Sequence, residues 1–78
     1  MSDPIDHQIA ELIAEVLGVE LDAVASMRRG EDPWDSLRHL EIVFAVEDAC
    51  GVRLSTAEVT EVTTPAELAG LVRTRHGS

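Results

Sequence analysis

Apolar residues recur at helical spacing along most of this chain and almost never alternate. Ile5, Ile9, Leu12, Ile13, Val16 and Leu17 fall on one face of a first helix. Asp3 is placed to cap it, Pro4 takes the first position, where a missing N–H costs nothing, and Gly18 suits its left-handed end. A second helix opens at Asp35, runs to about Cys50 and stops at Gly51. Ser55 with Glu58 forms a capping box for a short third helix over about 56–62. Thr64, Pro65 and Glu67 open a last helix that runs to about Arg73, with Leu68, Leu71 and Val72 as its apolar side. The tail Thr74–Ser78 is expected to fray.

The connection between the first two helices, residues 19–34, is long. Arg28-Arg29-Gly30 and Asp32-Pro33 break any regular element there. Val19, Leu21, Val24 and Met27 nevertheless predict that it is pinned to the core, with one helical turn around Asp22–Ala25. Val52-Arg53-Leu54 alternates but is too short to build a sheet. The expected fold is all-α: a small four-helix bundle with a long first loop and a short third helix.

The second helix has more apolar surface than one core contact requires. At about 100° per residue, Ile42, Val43, Val46 and Cys50 share one side, while Leu37, Leu40 and Phe44 share another, beside Ser36. Glu41, Glu47 and Asp48 lie around this second stripe. A surface helix needs a single core-facing stripe. The surplus stripe is open to two readings: a second buried side, or a docking surface that is apolar at its centre and acidic at its rim.

Composition narrows the function. The chain has 78 residues and a net charge of −9, from fifteen acids against six arginines and no lysine. One domain is expected, with its core over about residues 4–73. Only Trp34 and Phe44 are aromatic, so the core is expected to be aliphatic, built from Ile, Leu, Val and Ala. Such a surface disfavours nucleic acid and anionic membranes, and favours partners with basic docking surfaces. No apolar run approaches the ~20 residues needed to span a bilayer, and no signal peptide opens the chain. A monomeric cytoplasmic protein is expected, and the absence of linker at either end favours a free-standing one.

Ser36 is the most informative single residue. A hydroxyl at a helix start can carry a phosphate, because the free N–H groups and the positive end of the macrodipole favour an anion there. Ser beside Asp is also ordinary capping chemistry, so the tripeptide gains weight only from its setting. That setting resembles the acyl carrier protein family, with its peptidyl and aryl carrier relatives, over nearly the whole chain from Ile5 to Val72. The resemblance is carried by Asp35-Ser36-Leu37, then Leu40-Glu41-Ile42-Val43, Ala45-Val46-Glu47, and Thr63-Thr64 before the last helix.

The resemblance implies that Ser36 receives 4′-phosphopantetheine from coenzyme A through a separate phosphopantetheinyl transferase. The thiol of that arm would hold acyl intermediates as thioesters. Asp35 would cap the helix and help position the serine. Leu37, Arg38, Leu40, Glu41, Phe44, Glu47 and Asp48 would meet acyl-loading and acyl-processing enzymes. The protein would be a carrier and no enzyme.

Some residues depart from the family pattern. Arg38 and His39 follow where the family often has an acid, Trp34 replaces a small or aliphatic residue, and Cys50 replaces a bulkier one. Val59, often smaller in the family, would partly fill the gap left by Cys50. Trp34-Asp35-Ser36-Leu37 is similar to carriers of dedicated pathways. An aminoacyl or peptidyl carrier of a nonribosomal peptide or polyketide pathway is the alternative, and an unmodified helical interaction module is another.

The remaining candidates carry less. Cys50 is read as core packing in preference to a reactive thiol, and His39 as a half-exposed helix residue. His7, His39 and His76 lack metal-ligand spacing, and Glu31, Asp32 and Asp35 lack the glycine and glutamate of a calcium loop. No metal site is expected.

Overall fold

The structure is a computed structural model that describes residues 4–76; the expected Asp3 cap lies outside them. The described residues form α1 (Pro4–Leu17), α2 (Leu21–Val24), α3 (Ser36–Cys50), α4 (Thr56–Glu61) and α5 (Pro65–His76). The architecture is all-helical, and α2 is the single turn expected inside the long connection. The radius of gyration, 11.3 Å, is what a compact chain of this length gives (about 11.5 Å). Among the described residues, no helix is long and apolar enough to cross a membrane.

The helix ends follow from local chemistry. The Asp35 carboxylate accepts from the Arg38 N–H at 2.9 Å, satisfying one donor of the first turn of α3. Gly51 ends that helix at φ 66°, a conformation that costs a Cβ-bearing residue, and its N–H returns to the Glu47 carbonyl. Ser55 and Glu58 form the expected reciprocal box, with bonds of 2.9 and 3.1 Å. Thr64 and Glu67 form a second one, both bonds at 3.2 Å. Helix α5 extends past the expected end at Arg73, so Thr74, Arg75 and His76 are helical and not frayed. Two contacts support this extension: Thr74 Oγ1 donates to the Gly70 carbonyl at 3.0 Å, and Arg75 reaches back to Glu58.

Helix α1 is the hub, with α2, α3 and α5 all packed against it. Ile9, Ile13 and Leu17 from α1 meet Ile42 and Val46 from α3 and Leu68, Ala69 and Val72 from α5. The long connection adds Val24 and Trp34 to this core, while Val19 and Met27 pack against it. Leu21 departs from expectation: it is exposed, on the outer side of the one-turn α2. Helix α4 buries none of its residues, since six residues offer too short a stripe, so polar contacts must help to hold it.

The acidic surface repels itself. Sodium chloride or a divalent cation is therefore expected to raise the thermal midpoint. A midpoint flat across a salt titration would show that the Arg73–Asp6, Arg75–Glu58 and Arg38–Glu41 pairs already offset the repulsion.

Candidate functional site

Ser36 occupies the first position of α3, and its residue is exposed. Three features meet around it: the exposed stripe of α3, a cavity on the α4 side, and a buried polar pair beneath.

The stripe comes first. Leu37 is 67% exposed, Leu40 47% and Phe44 65%, whereas Ile42, Val43 and Val46 on the other side are buried. The surplus stripe is thus open to solvent. Of the acids around it, Glu41 pairs with Arg38 at 3.0 Å along the helix. Asp48 is exposed. Glu47 has a structural task as well: its Oε2 accepts from the Leu54 N–H at 2.8 Å, tying the 52–54 segment to α3. Cys50, expected on the core stripe, is partly buried against the core. Burial pushes its thiol up from the ordinary 9.0, so it stays protonated near neutral pH.

The cavity, about 550 Å³, is lined by Ser36, His39 and Leu40 of α3, Val59 and Thr60 of α4, Thr63, and Arg29 and Gly30 of the long connection. Gly30 sits at φ 99°, in the region that favours glycine. Its N–H donates to the Trp34 carbonyl at 2.8 Å, closing the turn that delivers Trp34 and Asp35 to the helix start.

Beneath the serine lies an arrangement the sequence reading missed. His39 is 3% exposed, against the expectation of a half-exposed residue. Trp34, fully buried, donates its indole N–H to His39 Nδ1 at 3.1 Å. With Nδ1 accepting, the ring's proton sits on Nε2, which donates to the Val59 carbonyl at 2.8 Å. The two rings also stack, with centroids 6.0 Å apart. Val59 lies near the end of α4, where carbonyls lack a helical partner, and Arg29 Nη1 donates to the same oxygen at 3.3 Å. These two bonds fasten α4 to α3 and to the connection. A signal for the pair was present: Trp34 precedes the cap and His39 is the fourth helical residue, the two positions that pack together at helix starts.

Burial, and secondarily the charge of Arg29, lower the His39 pKa, while the bond to Val59 opposes the shift. His39 is therefore neutral at pH 7, and its buried nitrogens are committed to structure. Among the described residues, no three His, Cys, Asp or Glu side chains gather as a cation site. A scan against protein-family models finds no match to this chain.

Proposed function

We propose that the protein is an acyl carrier, activated by attachment of 4′-phosphopantetheine to Ser36. One observation carries the reading: an exposed serine opens a fifteen-residue helix whose adjoining apolar stripe is left in solvent. The residues present suit the group. The hydroxyl borders an open cavity without a carboxylate, and the first-turn N–H groups favour a phosphodiester. When bound, the group supplies a thiol on a long arm, which carries cargo as a thioester.

The chain's own residues make Ser36 an acceptor and not a catalyst. His39 beneath it is fully engaged, and a serine without an available base is a weak nucleophile. The base must come from the transferase, which takes the hydroxyl proton while 3′,5′-adenosine bisphosphate leaves coenzyme A. Asp35 holds the helix start through Arg38 N–H. Leu37, Leu40 and Phe44 provide the apolar centre of a docking face, with Arg38, Glu41, Glu47 and Asp48 around it. Partners with basic surfaces suit the net charge of −9. The proposed setting is a cytoplasmic monomer that shares the carrier-family bundle. An aminoacyl or peptidyl carrier is the second reading, favoured by the polar side chains of Arg29, Thr60 and Thr63 in the cavity.

Incubation with coenzyme A, magnesium and a broad-specificity phosphopantetheinyl transferase is expected to add one phosphopantetheine to the intact mass. Ser36→Ala should abolish the gain. No gain with several transferases would favour the unmodified interaction module.

A further inference from the structure

The cavity beside Ser36 differs electrically from the rest of the molecule. The chain carries −9 overall, yet none of the cavity's lining residues is acidic and one is an arginine. Arg29 forms no ion pair with a described carboxylate, unlike Arg38, Arg73 and Arg75. It is half-buried and held at two points. Its N–H donates to the Thr63 carbonyl at 2.8 Å, and Nη1 donates to the Val59 carbonyl at 3.3 Å. Both partners are neutral, so the positive charge is fixed in place without being neutralised. The remaining guanidinium donors have the fork geometry that suits phosphate oxygens. Thr60 and Thr63 also line the cavity, with their hydroxyl protons donated to the Thr56 carbonyl and to Glu67 Oε1, both at 2.9 Å.

We propose that Arg29 is the counter-charge for the phosphate that Ser36 carries once loaded, and that this cavity seats the first part of the attached arm. The proposal rests on the carrier reading and deepens it. Arg29 acts as a positioning residue: it draws the phosphodiester toward α4, so that the arm leaves the protein along Thr60 and Thr63. Leu37 and Phe44, outside the cavity, then stay clear for a partner, while Leu40 borders both surfaces.

The test compares apo and loaded protein, each labelled with nitrogen-15, for wild type, Arg29→Gln and Arg29→Lys. Intact mass first establishes that Ser36 is modified. No gain in any of the three overturns the carrier reading and this proposal with it. With loading established, the wild-type spectrum should show apo-to-loaded shifts at the Arg29 Nε–H and at the amides of Gly30, Thr60 and Thr63. In Arg29→Gln these shifts should vanish, leaving only residues flanking Ser36, while Arg29→Lys keeps part of them. Each comparison is internal to one variant, so a purely structural effect of losing the Val59 contact cancels. Wild-type shifts confined to residues 35–38, or shifts unchanged in Arg29→Gln, would overturn the proposal and leave the carrier reading intact. Should Arg29→Gln fail to fold, wild type and Arg29→Lys still decide it.

Discussion

Trp34→Ala is expected to remove most of the stability of this protein. Truncating a fully buried tryptophan costs about 3–5 kcal/mol when the surroundings cannot collapse. Collapse is restricted here, because Trp34 is the largest fully buried side chain and packs among residues of α1, α3 and α5. The same substitution deprives His39 Nδ1 of its donor, which adds about 1–3 kcal/mol if the nitrogen stays dry. A domain of this length has about 4–12 kcal/mol in total, so the variant should sit at the edge of unfolding at 25 °C. Urea denaturation followed by circular dichroism measures the loss, since the variant has no tryptophan to report by fluorescence. Trp34→Phe separates the two parts: it keeps a ring in the core but has no N–H for His39. A loss under 1 kcal/mol in Trp34→Ala would show that the site repacks and that the indole is not the centre of this corner.

The second large effect is on acid stability. Unfolded His39 takes a proton near the ordinary 6.5, whereas burial holds the folded pKa below that. In the window between the two values the unfolded chain binds more protons, so stability rises with pH there. The contribution is complete above pH 6.5 and is lost as pH falls through the folded value. A proton on Nδ1 would also replace an acceptor with a donor facing the Trp34 N–H. One such group gives a slope of at most about 1.4 kcal/mol per pH unit. Two carboxylates act in a lower window. Hydrogen bonds from Ser55, with Arg75 beside it, depress Glu58, and hydrogen bonds from Thr63 and Thr64 depress Glu67, both below the ordinary 4.5. Their contributions are present above 4.5 and fade below it. Urea titrations of wild type and His39→Gln between pH 7.5 and 5 isolate the histidine. Wild type should lose stability as the pH drops, and the variant should give a nearly flat line. Parallel profiles would show that folded His39 takes up its proton as readily as the unfolded chain does, or that another group carries the dependence.

Both experiments concern one corner of the molecule, and that corner separates what could be read in the residues from what could not. The caps and ends were legible because they are local. Asp35, Gly51, the Ser55–Glu58 pair and the Thr64–Glu67 pair each act within a few residues, and the side-chain geometry of a helix start is much the same in any surroundings. The core faces of α1, α3 and α5 were legible for a related reason, since helical periodicity forces buried residues onto one stripe. Ser36 stood out less locally: Ser beside Asp is ordinary capping chemistry, and it gained weight from the chain's length and charge, the long loop before it and the helix after it.

The misplacements have a common cause. His39 looks polar, yet on the wheel it falls between Val46 and Cys50 on the core stripe, and Trp34 and the Val59 carbonyl supply the partners that let an imidazole be buried there. Those partners come from the connection and from α4, twenty residues away in the second case. Leu21 carries an apolar side chain, but a one-turn helix leaves it outside. The expected fraying of Thr74–His76 missed the long-range reach of Arg75 to Glu58.

By itself, then, the order of residues determined the helices, most of their ends, the aliphatic part of the core and the position of Ser36, because each depends on periodicity or on contacts a few residues apart. Only the tertiary structure decided that Leu37, Leu40 and Phe44 face solvent, that His39 is locked beneath the serine, and that Arg29 shares a cavity with it free of acids. A helix wheel distinguishes faces but not which of them another element will cover. That choice is made by the packing of α1, the long connection and α4 around α3, which brings together residues far apart in the chain.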